Sequence, residues 1–230
     1  MVRDLVKTFR LPGSAATVSA LDLPTLEVKG GETVAIIGPS GSGKTTLLNI
    51  IAGLLFPSQG EVFVNGTAIH TLDERARDRF RARTIGYVFQ TFNLLPAFSA
   101  LENVRIAMDL CHVVPAQERQ ERARLLLADL GLGSRMHHKP GQLSAGEQQR
   151  VGVARALANA AQVILADEPT ASVDQDAREV VLNRLLGEAK AGGKIVMVAT
   201  HDYGLLPRFD RVERLSKSET NLLRVGREDV

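Results

Sequence analysis

The sequence predicts an α/β fold built on a mostly parallel sheet. Three short apolar runs, rich in β-branched residues and bounded by glycine or charge, lie at residues 33–37, 163–166 and 195–200. Unbroken apolar runs of this length are typical of strands buried on both faces of a parallel sheet. Segments with helical spacing, at residues 45–52 and 177–190, lie between these runs. The alternation of strand and helix indicates the α/β arrangement.

The remaining segments have different patterns. Residues 2–9, 22–29 and 60–66 are predicted to form short antiparallel strands, with glycine or asparagine at the turns. The middle of the chain, at about residues 101–160, is predicted to be helical, because leucines and alanines recur there at three- and four-residue spacing. An antiparallel part and a helical part therefore accompany the α/β core.

Composition sets the broad class of the protein. The 230 residues are 44% hydrophobic and 23% charged, as in ordinary globular proteins, and the net charge of +2 is too small to indicate a nucleic-acid partner. The single cysteine, Cys111, is expected to be a small buried apolar residue. No apolar run reaches the roughly 18 residues that span a bilayer, and the first residues do not resemble a signal peptide. We therefore expect a cytoplasmic protein that reaches a membrane only through a partner.

A phosphate-binding loop follows the first apolar run and precedes a helical segment. It matches the pattern G-x-x-x-x-G-K-[ST] at every position, with Thr46 after it: Gly38-Pro39-Ser40-Gly41-Ser42-Gly43-Lys44-Thr45. The glycines let backbone N–H groups approach phosphate oxygens, and the start of the helix adds the positive end of its dipole. Lys44 is expected to contact the β- and γ-phosphates of ATP, and the Thr45 hydroxyl to bind Mg²⁺. A glycine-rich turn that binds nothing is the alternative, and the flanking strand and helix argue against it.

Two carboxylates, Asp167 and Glu168, end the second apolar run. Asp167 is expected to hold Mg²⁺, and Glu168 to act as the general base that polarises the attacking water. General-base catalysis is worth about 10²–10⁴-fold in rate. The alternative is a strand end that carries two solvated acids, which the nearby phosphate loop disfavours.

The segment Leu143-Ser144-Ala145-Gly146-Glu147 precedes this acidic strand by about twenty residues. Ser144 and Glu147 form a capping box, so a plain helix start is one interpretation. Gly146 in the first helical turn, where its propensity is poor, is left unexplained by that interpretation. Together with the acidic strand, the segment resembles the signature motif of the ATP-binding cassette (ABC) family. The resemblance implies that Ser144, Ala145, Gly146 and Glu147 act on the ATP bound to a second copy of the chain.

Further site residues are implied by the same resemblance. Gln90 matches the glutamine that senses Mg²⁺ and the attacking water, so the implied metal residues are Thr45, Gln90 and Asp167. His201 matches the switch histidine that contacts the γ-phosphate, while Ser172 and Asp174 match the D-loop at the dimer interface. Phe9 is the candidate for stacking on adenine, with a core phenylalanine as the alternative. The other histidines are expected to be solvated: His70, His112, His137 and His138.

Two segments suggest contact with a membrane or a membrane protein. Five arginines, Arg75, Arg77, Arg79, Arg81 and Arg83, form a basic stripe near the acids Asp73, Glu74 and Asp78. They form either a solvated helix face or a face near anionic lipid headgroups or a membrane subunit. The apolar, proline-terminated stretch at residues 91–96 follows Gln90, and in the family this region receives a helix of the transmembrane partner.

The resemblance covers residues 2–215 and implies a single ABC ATPase domain over residues 1–230, with an inserted helical subdomain at about 92–160. The stretch 85–96 is most similar to the lipoprotein-release, macrolide-export and cell-division group (LolD-, MacB- and FtsE-like). The implied protein is an ATPase that binds ATP and Mg²⁺, acts as a homodimer and powers a permease from the cytoplasmic face of the membrane. A soluble ABC protein of DNA repair or translation, and an ATP-binding regulatory partner, are the alternatives.

Overall fold

Two sheets and six α-helices form the part of the chain that the computed structural model describes, which is residues 1–13, 16–171 and 173–216. The strands are β1 (Val2–Arg10), β2 (Thr17–Leu26), β3 (Thr33–Ile37), β4 (Gln59–Val64), β5 (Thr67–Ala68), β6 (Ile85–Val88), β7 (Val163–Asp167), β8 (Ile195–Ala199) and β9 (Arg211–Arg214). The helices are α1 (Lys44–Ile51), α2 (Glu74–Thr84), α3 (Ala100–Cys111), α4 (Ala116–Asp129), α5 (Ala145–Leu157) and α6 (Gln175–Gly192).

The larger sheet is parallel throughout and has the strand order β6-β7-β8-β3-β9. Alternate residues of its strands pack into different cores. Val34 and Ile36 contribute to a core shared with α1 and the other sheet, whereas Ala35 contributes to a core shared with α3 to α6. Both faces of β3 are therefore buried, which explains its unbroken apolar sequence and confirms the predicted parallel sheet.

The smaller sheet is antiparallel and has the strand order β2-β1-β4-β5. The prediction of a strand at residues 22–29 was wrong at both ends, because β2 begins at Thr17 and ends at Leu26. Pairing with β1, from Val2 opposite Leu26 to Arg10 opposite Thr17, sets these limits. The strand tolerates Pro24 because it lies at the edge of the sheet, where a missing N–H donor leaves no neighbouring strand unpaired.

The predicted helical middle consists of three helices, α3, α4 and α5, which pack against one another. Their apolar side chains continue into the core beneath the parallel sheet, as Met108 and Leu127 do with Ile164. The limits of an inserted subdomain at 92–160 stay a prediction. The sequence reasoning missed β9, a four-residue edge strand whose alternating half-buried and exposed residues leave little signal.

The arginine run on α2 divides between two faces of the helix. Arg77 stacks over the ring of Phe56 at 3.8 Å, and Arg81 donates to the carbonyl of Gly53 at 3.2 Å. Arg75, Arg79 and Arg83 are exposed. Alternate positions on a helix point in different directions, so two of the five arginines pack against the protein and three face solvent.

Two predictions about isolated side chains have opposite outcomes. Cys111 is buried, as expected, and its thiol donates to the carbonyl of Ala107. The prediction that His70 is solvated was wrong, because its Nδ1 lies 3.1 Å from the backbone N of Val62 and its ring packs edge-on against Phe63. Within residues 1–13, 16–171 and 173–216, no helix is long and apolar enough to cross a membrane.

Candidate active site

A cavity of about 450 Å³ lies at the carboxyl ends of the parallel strands. This edge of an open α/β sheet is where ligands bind, because loops from several strands converge there. The lining residues are Ala20, Gly38, Ser40, Gly41, Ser42, Gly43, Lys44, Thr45, Thr46, Gln90, Asp167, Glu168 and His201. The structure thus brings together nearly all of the predicted phosphate loop, both carboxylates, the glutamine and the histidine. Pro39 is the one residue of the predicted loop that does not line the cavity.

Close packing explains the glycines of the phosphate loop. A Cβ on Gly38 would lie 2.3 Å from the carbonyl oxygen of Leu215, and a Cβ on Gly43 would lie 2.4 Å from that of Ala20. Gly43 is also the N-cap of α1, with a left-handed φ of 91° that disfavours other residues. Side chains at these positions would displace the loop. Its backbone N–H groups would then no longer face the cavity.

Lys44 folds back over the loop. Its Nζ donates to the carbonyl oxygens of Gly38 at 2.9 Å and Pro39 at 3.2 Å. These contacts hold the ammonium group at the cavity that the loop surrounds. A phosphate there would find a positive charge and the N-terminus of α1 on the same side.

Asp167 is the last residue of β7 and is only 3% exposed. Burial raises the pKa of its carboxyl group above the ordinary value, and the charge of Glu168 adds to this effect. A hydrogen bond from the Thr45 hydroxyl and the charge of Lys44 act in the other direction and lower the pKa of Asp167, but they do not cancel the effect of burial. A buried carboxylate whose ionised form is incompletely compensated is well suited to hold a cation.

Glu168 and His201 contact each other in the wall of the cavity. The Nδ1 atom of His201 lies 2.9 Å from Oε2 of Glu168, and the Glu168 side chain is 11% exposed against 70% for the histidine. Glu168 has a left-handed φ of 49°, which non-glycine residues adopt at a cost, and its N–H donates to the carbonyl of Ala199 at 2.9 Å. The strained backbone turns the carboxylate of Glu168 into the cavity.

The signature residues form the start of α5, at a different place. Ser144 is the N-cap, and it forms a capping box with Glu147: the N–H of Glu147 donates to Ser144 Oγ at 3.2 Å, and the N–H of Ser144 to Glu147 Oε2 at 2.8 Å. This last hydrogen bond is the main cause of a lowered pKa of the Glu147 carboxyl, with a further contribution from Arg135. The capping box predicted from the sequence is therefore confirmed. None of the residues from Ser144 to Glu147 lines the nucleotide cavity of its own chain.

The structure places the remaining predicted residues as follows. Asp174 is exposed at the N-cap of α6, where its carboxylate accepts a hydrogen bond from Ala177 N at 2.8 Å. Ser172 lies outside the described residues. Phe9 pairs with Val18 on the antiparallel sheet and is 44% exposed, so it is not a core residue. It does not line the cavity, and its role towards adenine stays a prediction.

Sequence reasoning did not single out Asn103, although it organises the loop that follows Gln90. This side chain is completely buried and donates to the carbonyls of Leu95, Phe98 and Ser99 at 3.0–3.1 Å, while its Oδ1 accepts from Leu95 N at 2.8 Å. A polar residue at an apolar helical position was the available signal. Arg155 supports the same loop from α5 by donating to carbonyls at positions 92 and 93.

Replacing Asn103 with alanine is expected to lower the free energy of unfolding by about 3 kcal/mol, because buried backbone groups lose their partners. Chemical denaturation of the wild type and of Asn103→Ala would measure the change. Asn103→Asp keeps the shape and the acceptor but loses the NH₂ donors, so we expect it to be destabilised as well. A midpoint unchanged in both variants would contradict the role of Asn103.

A second cavity, here called the α2–α3 groove, lies between α2, β6, α3 and α5 and has a volume of about 420 Å³. Its wall includes exposed leucines, with Leu110 exposed to 75%, Leu54 to 42% and Leu95 to 39%. Exposed apolar side chains grouped in one groove are typical of a surface that binds another protein.

Comparison with known proteins identifies the family of the chain. The sequence profile described as ABC transporter matches residues 21–171, which is more than half of the chain. The lipoprotein-releasing system ATP-binding protein LolD of Maricaulis maris is 47% identical over 82% of this chain and 82% of that protein. The macrolide export ATP-binding/permease protein MacB of Hyphomonas neptunium is 47% identical over 91% of this chain, which spans 32% of the longer protein.

The fold also matches a solved structure. The dimeric ATP-binding cassette MJ0796, in a post-hydrolysis state bound to ADP and Pi, superimposes with a TM-score of 0.88 at 39% identity, over 93% of both chains. The α/β fold of an ABC cassette and ATP hydrolysis by this chain follow from these matches. The chain belongs to the ABC transporter family and is an ATP-hydrolysing subunit of such a transporter.

Proposed function

We propose that two copies of this chain bind two ATP molecules between them and use their hydrolysis to drive a membrane permease. One observation supports a site shared between the two copies. The cavity gathers the phosphate loop, Gln90, both carboxylates and His201, whereas the signature residues at the start of α5 lie outside it. A second copy facing the first would bring its own Ser144 and the N-terminus of its α5 to the γ-phosphate, because a helix N-terminus favours an anion. The solved relative is also dimeric.

Lys44 and the loop amides hold the phosphates, and Lys44 exchanges its carbonyl contacts for phosphate oxygens when ATP binds. The donors near Asp167 fit Mg²⁺, which prefers oxygen ligands: the Thr45 hydroxyl already contacts the Asp167 carboxylate, and the Gln90 amide lines the same cavity. When bound, Mg²⁺ neutralises charge that develops on the phosphate oxygens.

Glu168 orients the attacking water and accepts its proton. The carboxylate is largely shielded from solvent and lines the cavity together with the phosphate loop. His201 holds this carboxylate through Nδ1 and, from the same position, contacts the γ-phosphate. The His201 side chain is 70% exposed and lines the cavity, so a partner chain that closes the cavity would cover it.

The α2–α3 groove is the proposed docking site for a cytoplasmic helix of the permease. Its leucines offer an apolar surface, and the loop stabilised by Asn103 and Arg155 joins this surface to Gln90 in the nucleotide cavity. Movement of the permease helix can therefore be transmitted to the site of hydrolysis through one short loop. The ATPase would lie on the cytoplasmic face of the membrane and bind to it through the permease.

The sequence and its relatives favour one group of permeases. LolD is named for lipoprotein release and MacB for macrolide export. We infer that this chain powers export from, or extraction of a lipid or lipoprotein out of, the membrane, or transmits force across it. The resemblance of residues 85–96 to the LolD-, MacB- and FtsE-like group implies a permease partner with four spanning helices and a large domain outside the membrane.

Affinity purification of the tagged protein from its own cells in mild detergent tests this function. We expect the wild type to recover a four-helix permease, and Leu110→Glu, in the groove, to lose it. Leu125→Glu is the matched control, because Leu125 is a 56% exposed leucine on α4 that lies outside the groove. Recovery of ribosomes or DNA-repair proteins in place of a membrane protein would contradict the transporter function and favour a soluble ABC protein.

A further inference from the structure

Asp202, the residue after His201, is held at three points. Its Oδ2 accepts a hydrogen bond from the Arg178 guanidinium at 2.6 Å, and its Oδ1 accepts one from Gly204 N at 3.0 Å. Its own N–H donates to the Thr200 hydroxyl at 3.0 Å. Gly204 and Thr200 are local partners in the same loop, whereas Arg178 comes from a different part of the chain.

Arg178 belongs to the first turn of α6. Its N–H donates to the carbonyl of Asp174 at 2.9 Å, and Asp174 is the N-cap of this helix. The side chains of Arg178 and Asp202 are 37% and 28% exposed, so the ion pair is partly shielded from water. A charge-assisted hydrogen bond of 2.6 Å therefore joins the start of α6 to the loop that carries His201.

The imidazole of His201 has little support of its own. It is 70% exposed, and its described polar contact is the one with Glu168. A single exposed contact does not hold a side chain in one orientation, so the position of the imidazole depends on the backbone that carries it. The Asp202 contacts fix that backbone immediately after the histidine.

We propose that Arg178 is a positioning residue for hydrolysis, which acts through Asp202 to keep His201 beside Glu168. The inference rests on the proposed function, in which His201 takes part in catalysis, and on the resemblance that assigns Asp174 to the D-loop at the interface between two copies. The same ion pair then links that interface to the catalytic carboxylate, in the order Asp174, Arg178, Asp202, His201 and Glu168. Closure of the dimer against α6 would place His201 correctly through this link.

The turnover of the full chain, measured against ATP concentration, tests the role of Arg178. We expect Arg178→Ala to lower kcat about tenfold or more, because small misplacements of a catalytic group are costly, and to leave KM nearly unchanged. Arg178→Lys keeps the charge and should restore part of kcat. Arg208→Ala is the matched control: Arg208 also joins α6 to the segment after β8, through Glu179 and Asn183, but does not contact Asp202. We expect its turnover to stay near that of the wild type.

A double-mutant cycle separates positioning of His201 from a general loss of structure. In a His201→Ala background, Arg178→Ala should cause almost no further loss, because the residue through which it acts is already gone. Independent, additive losses, or an equal loss in Arg208→Ala, would overturn the inference. Wild-type turnover in His201→Ala would instead overturn the role of His201 in the proposed function. If His201→Ala is inactive while Arg178→Ala keeps the wild-type kcat, the inference about Arg178 alone fails.

Discussion

Replacing Glu168 with glutamine is expected to lower ATP turnover by about 10²–10⁴-fold while ATP binding is retained. Glutamine has the same shape as glutamate but cannot accept a proton from water. The phosphate loop and Lys44, which are proposed to bind the phosphates, are unchanged by the substitution. Turnover assays and equilibrium binding of ATP to the same preparation would measure the two effects separately.

Glu179→Gln is the control for this experiment. Glu179 is an exposed glutamate that pairs with Arg208, outside the nucleotide cavity, so its substitution should leave kcat unchanged. Hydrolysis at the wild-type rate in Glu168→Gln would reject Glu168 as the general base. A parallel loss of ATP binding would instead indicate that the carboxylate is needed to form the site.

Substitution of Ser144 by arginine is expected to abolish hydrolysis while the monomer still binds nucleotide. The N-terminus of α5 would carry a bulky side chain at the surface that is proposed to face the partner's ATP, so we expect the two copies not to close. The nucleotide cavity of the same chain does not include Ser144 and should stay intact. Nucleotide affinity, turnover and ATP-dependent dimerisation of Ser144→Arg would be measured together.

This substitution also removes a helix cap, and that loss needs its own control. Ser99→Arg is well matched, because Ser99 caps α3 with the same capping box, formed there with Glu102. Each substitution should cost about 0.5–2 kcal/mol of stability through the lost cap. Only Ser144→Arg should lose hydrolysis. Undiminished turnover in Ser144→Arg would mean that the site is not shared between two chains.

Features that depend on residues close together in the chain could be predicted. The phosphate loop is a run of eight residues whose glycines meet local steric needs, and its flanking strand and helix follow from apolar patterns. The capping box of Ser144 and Glu147 spans a single turn, so spacing alone predicts it. The predicted strands of the parallel sheet agree with β3, β7 and β8 to within one residue at either end, because burial on both faces leaves an unbroken apolar signal.

Spacing alone could not show which arginines of α2 pack against the protein and which face solvent. Arg77 and Arg81 pack inward because Phe56 and Gly53 lie next to them in the fold, not because their sequence differs from that of Arg75 or Arg79. The limits of β2 were missed for a similar reason. The limits follow from the pairing of β2 with β1. The sequence of β2 itself contains few signals that mark where the strand begins or ends.

The sequence by itself determined the family of this protein, through the signature of an ABC ATPase, and predicted a loop for phosphates and acids for a cation and water. Only the tertiary structure decided which side chains act together. The parallel strands β7 and β8 are neighbours, so Glu168 and His201 meet although they are far apart in the chain. Packing of α6 against the same loop likewise brings Arg178 to Asp202. Residue types and local spacing can be determined from the sequence. Contacts between distant residues form only after the sheet has formed and the helices have packed against it.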